Sequence, residues 1–182
     1  MSKTKKTTWR DVKPILSEKD NKELLKLIGD LYSLNKDNKV FIHSRFRIGK
    51  EQLEPYKKVI SEALYPDIYK NKSIKLSAGR KAIIEYRKAT KDTIGSIELM
   101  VHYLECGNQF TVNFGDIEEQ FYSSLASMFK SILHALIKES TEVQEQYFSR
   151  LERVVASASD IGWGYYDYIS DLLEEYFPDK ST

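Results

Sequence analysis

Apolar residues return every three or four positions along nearly the whole chain, and this spacing, close to a helical turn, constrains the fold more than any other feature. A helix with one apolar stripe must bury that stripe on a neighbour, so successive stripes joined by short connections predict an all-α protein. The reading gives about eight antiparallel helices in one domain over residues 1–182, as a closed bundle or an irregular stack of helical hairpins. Residues 1–10 and 178–182 are expected as flexible ends. No fixed repeat period is visible, which argues against a regular solenoid.

The stripes can be followed one by one. Ser17 is expected to cap a first helix carrying Leu24, Leu27, Ile28, Leu31 and Leu34, which Asn35 ends. A short second helix carries Val40, Phe41 and Ile48 and closes at Gly49, making a helical hairpin with the first. The third holds Pro55 in its first turn and carries Leu53, Tyr56, Val59, Ile60, Ala63 and Leu64 before Pro66. Residues 66–76, rich in lysine, read as an exposed loop leading to a fourth helix with Ala82, Ile83, Tyr86 and Ala89. Asp92 caps a fifth, whose Ile97, Val101 and Leu104 lead to a left-handed stop at Gly107. Residues 108–115 alternate apolar and polar but have no second strand to pair with, so an extended loop is expected. Asp116 with Glu119, and Thr141 with Gln144, read as capping boxes for the sixth and seventh helices. The sixth is the most apolar and is expected at the centre; the seventh ends at Gly162, and the eighth carries Tyr165, Ile169, Leu172 and Tyr176.

Composition narrows the classes. With 41% apolar residues the chain can bury enough surface to order itself. No apolar run is long enough to span a bilayer, the first residues lack the apolar stretch of a signal peptide, and Cys106 is the single cysteine. A cytoplasmic protein without a disulfide framework or a cysteine-rich zinc site is the expectation. Residues 1–90 hold 22 Lys and Arg against 11 Asp and Glu, net +11, while residues 91–182 hold 6 against 16, net −10. Mutual attraction of the halves, within the fold or between molecules, is preferred over an acidic partner.

Few residues point to chemistry. Glu98, His102 and Glu105 share one helix face and are the weak metal candidates, although di-iron bundles draw ligands from several helices. No phosphate-cradling glycine loop, nucleophile elbow or His-Glu-x-x-His motif is present, and Cys106 lies away from a helix N-terminus, so no catalytic residue and no cofactor is assigned. The stretch Ile161 to Asp167 sets two glycines around Trp163, which is expected to plug the core in preference to anchoring a partner. If a groove exists, the 108–116 and 161–167 loops line it with Glu105, Phe110, Asp116, Trp163 and Asp167. A basic patch of Arg45, Arg47, Lys50, Lys57, Lys58, Arg80 and Lys81 allows phosphate contact, with no recognition helix or stacking platform beside it.

Three segments resemble a bacterial family of uncharacterised all-helical proteins of similar length: LLKLIGDLYSLNKDNKVFIHSRF from Leu24, VHYLECGNQFTVNFGDIEEQFYSSLASM from Val101, and IGWGYYDYISD from Ile161. Tyr166 stands where that family frequently has histidine. The resemblance implies a helical fold and a prokaryotic source, and it brings no catalytic residues. Together these observations predict a non-enzymatic protein-interaction module, partnering itself or another protein. Nucleic-acid binding through residues 36–88 is the alternative, and a metal-assisted enzyme using Glu98, His102 and Glu105 the second.

Overall fold

The computed structural model describes residues 7–46, 48 and 52–178. Among these it is all-α: α1 Trp9–Ser17, α2 Asn21–Leu34, α3 Lys36–Phe46, α4 Glu54–Leu64, α5 Leu76–Thr90, α6 Thr93–Phe114, α7 Glu119–Leu136, α8 Thr141–Ser157 and α9 Tyr165–Tyr176, with a 3-10 turn Ile68–Lys70. No helix is long and apolar enough to cross a membrane.

Several expectations about where helices begin and end are corrected. A helix not expected from the spacing, α1, begins at Trp9, where Thr8 N and Oγ1 each donate to Asp11 at 2.8 Å. Pro14 inside it hides it from sequence reading, because proline argues against a helix interior. The cap of α2 is accordingly Asp20, whose side chain accepts from Glu23 N at 2.8 Å, and not Ser17. Residues 108–115 form no loop: α6 runs unbroken to Phe114, and Gly107 sits inside it. A Cβ at Gly107 would lie 2.6 Å from a methyl of Leu125, so this glycine allows close approach of α7 and does not stop the helix. The expected boxes also change, since Glu118 and Ser140 are the N-caps of α7 and α8 and neither makes a side-chain capping bond.

The core runs through α4 to α9. Ile60 and Leu64 of α4, Ile97, Leu99 and Leu104 of α6, Leu125, Phe129 and Ile132 of α7, and Leu151 and Ile169 beyond are fully buried. α6 packs against α4, α5, α7 and α8 and is the central helix in place of the expected α7. Its buried residues fall on several sides, so no single stripe dominates, whereas α7 buries one. Toward the N-terminus burial fades: α3 packs on α5 and buries only Ser44, α2 packs on α3, and α1 and α2 bury nothing.

Candidate functional site

The Glu98, His102 and Glu105 face of α6 looks into the seam between α4 and α8, where it meets cationic partners that no local spacing reveals. Arg150 on α8 donates from Nε and Nη2 to the two oxygens of Glu105, both at 2.7 Å, and from Nη1 to Glu98 at 2.5 Å. Lys57 on α4 holds the other Glu98 oxygen at 2.8 Å. Burial pushes Glu98 upward, but hydrogen bonds and charge from Lys57 and Arg150 outweigh it and hold the carboxyl below its ordinary value. The guanidinium lies 5.7 Å from the Tyr147 ring, and burial with the nearby Glu98 charge pushes that phenol up to about 12. This is an ion-paired clamp joining three helices, and its carboxylates already hold their counterions. Among the described residues no cluster of histidine, cysteine and carboxylates stands ready for a metal.

Beside the clamp, Ser61 Oγ lies 2.8 Å and Cys106 Sγ 3.6 Å from His102 Nε2. A nucleophilic cysteine needs a depressed pKa, and here burial pushes the thiol up while burial and the Lys57 charge push the imidazole down. The trio is a neutral hydrogen-bonded contact between α4 and α6.

The expected groove residues separate. Glu105 belongs to the clamp, and Phe110 is buried in α6 against Tyr65 and Phe114. Asp116 and the turn after α8 do meet, around a recess of about 330 Å³ lined by Thr111, Ser157, Asp160 and Ile161. Asp116 accepts from the buried Tyr122 hydroxyl at 2.7 Å, and Tyr122 in turn meets Thr111 at 2.7 Å. Asp167 is exposed on the first turn of α9.

Trp163 corrects the core reading. It is 58% exposed, in a left-handed conformation with φ 62°, and Gly164 follows at φ 65°. That backbone, costly for a residue with a Cβ, swings the indole out to the lip of a second cleft of about 620 Å³. The opposite wall is one face of α7, where Ser123, Ala126, Ser127, Lys130, Ser131 and His134 repeat at helical spacing. Tyr165, beneath, is almost fully buried, and its hydroxyl has no hydrogen-bond partner among the described residues. Sequence reading missed this wall because serines on an exposed face look like ordinary solvated positions.

The basic patch is largely engaged at home. Arg45 donates to the Ala89 carbonyl at 3.0 Å, Arg80 to the Ser124 carbonyl at 2.7 Å, Lys57 to Glu98, and Lys81 pairs with Glu85 at 3.6 Å. Lys58 is exposed, and Arg47 and Lys50 lie outside the described residues, as does the expected closure at Gly49.

Apolar side chains also face solvent on α1 and α2. Trp9 is 66% exposed, Ile15 61%, Leu25 69%, Ile28 47%, Leu31 47% and Leu34 73%.

No curated protein and no solved structure matches the chain. Residues 7–177 match one family over nearly the whole length, from α1 through α9. The chain therefore belongs to the family described as "Family of unknown function (DUF6155)".

Proposed function

We propose that this chain is a helical interaction module that associates with a second copy of itself through the apolar faces of α1 and α2. One observation carries the reading: two amphipathic helices whose stripes are left in water by the rest of the fold. Contiguous apolar patches of more than a few hundred Å² are uncommon on monomers, and a stripe with Ile28 and Leu31 each 47% exposed and Leu34 73% exposed is of the kind that a partner covers. A second copy fits this surface, because a twofold axis lets each chain give its apolar N-terminal helices to the other and receive the same contact in return. Helices that bury nothing are marginal alone at lengths of 9 and 14 residues, so partner contact is also what would hold them folded.

Sedimentation equilibrium of the full chain tests this. The expected result is a concentration-dependent dimer that Ile28→Glu with Leu31→Glu converts to monomer without unfolding α4–α9. A wild-type chain that stays monomeric at high micromolar concentration overturns the reading.

A further inference from the structure

We infer that the cleft between α7 and α9 receives α1 of a second copy, so that two chains exchange N-terminal helices. The inference rests on the self-association proposed above and names where the helix goes. Trp9, Val12, Ile15 and Leu16 lie on one side of α1, and among the described residues Trp9 and Ile15 are left 66% and 61% exposed while Leu16 is half-buried.

The cleft fits such an occupant in length, relief and charge. Nine residues of α1 span about 13 Å, and the α7 wall from Ser123 to His134 spans about 16 Å at 1.5 Å per residue. Ser123, Ala126, Ser127 and Ser131 keep that wall low, which lets a second helix approach its backbone closely. Trp163 and Tyr168, 58% and 44% exposed, stand along the other side as apolar walls for the incoming stripe. The lining charges Glu119 and Lys130 offset each other, while the surrounding half of the chain carries −10 and the half that supplies α1 carries +11. Mutual attraction between copies follows from that division, and it steers the basic arm toward the acidic body. The backbone strain at Trp163 then has a use, since it holds a large rigid anchor at the contact before binding.

The chain has two tryptophans, Trp9 and Trp163, one on each side of the proposed contact. Trp163→Ala and, separately, Ser127→Tyr, which fills the cleft, are measured by sedimentation equilibrium, and Trp9→Phe leaves Trp163 as the sole tryptophan, excited selectively beyond the tyrosine absorption. Expected are a dimer constant weakened about 30-fold or more in each cleft variant and a blue shift of Trp163 emission as Trp9→Phe protein associates. Dimerisation that ignores both cleft variants, with Trp163 emission unchanged, overturns the cleft assignment and leaves self-association through α1 and α2 standing. Absence of any wild-type dimer removes both.

Discussion

Truncating Arg150 to alanine tests the clamp between α4, α6 and α8. The side chain is 20% exposed and answers Glu98 at 16% and Glu105 at 35% exposure. Removing it leaves Glu105 without its bidentate partner and Glu98 with Lys57 as its cation. Breaking a fully buried pair costs about 3–5 kcal/mol, so partial solvent access brings the expectation here to about 2–3 kcal/mol. For a chain of this length that is a fall of about 4–12 °C in the thermal midpoint. The pH dependence is the sharper part. In the wild type the folded value of Glu98 lies below its unfolded one, so its contribution is present above the unfolded value and lost as pH falls through the folded one. Without Arg150, burial, the leading influence on Glu98, is opposed by the Lys57 cation, and the charged form becomes a burden that protonation relieves. The stability gap between wild type and variant should therefore narrow as pH drops from 7 toward 4. Urea unfolding followed by circular dichroism across that range measures it. A gap under about 0.5 kcal/mol at pH 7, or one that does not change with pH, refutes the clamp.

Three further outcomes follow from packing and chemistry. Gly95→Ala should destabilise by about 1–3 kcal/mol despite better helix propensity, because the new methyl would collide with Tyr86 Oη and lie 2.7 Å from Asp92, breaking the 2.7 Å bond between them; a stabilised variant in urea unfolding contradicts this. Trp163→Asn should leave folding stability unchanged or raise it by up to about 1 kcal/mol, since asparagine tolerates positive φ, whereas a loss of about 3 kcal/mol or more would mean the indole is a core residue after all. Cys106 should react with a disulfide reagent far more slowly in the native protein than in denaturant, because burial raises its pKa; rapid native labelling below pH 7 would show an activated thiolate.

Where apolar residues sit on a single face, as in α7, spacing located the element to within a few residues. It failed on the second half of α6 for an identifiable reason. Asn108 and Thr111 are polar yet buried, Asn108 donating to Ser157 Oγ at 2.6 Å and Thr111 bonded to Tyr122, so the inward face of that helix looks like alternation. A buried polar residue is acceptable when partnered, and these partners lie 49 and 11 residues away, on other helices where no local spacing can point. The same distance hid the clamp, since Arg150 is 45 residues from Glu105 and 52 from Glu98. The exposed α2 stripe was visible as a stripe, but apolar spacing says only that a face wants cover and never whether its own chain supplies it. Trp163 turned outward because its left-handed backbone, followed by Gly164, sets the direction of the side chain before packing can.

The most direct test of the self-association account is amide hydrogen exchange over residues 9–34 in the full chain, measured across a dilution series. Burial of α1 and α2 by a second copy predicts protection that rises with protein concentration, while that of α6 and α7 stays constant. Protection of residues 9–34 that is the same at every concentration would contradict it.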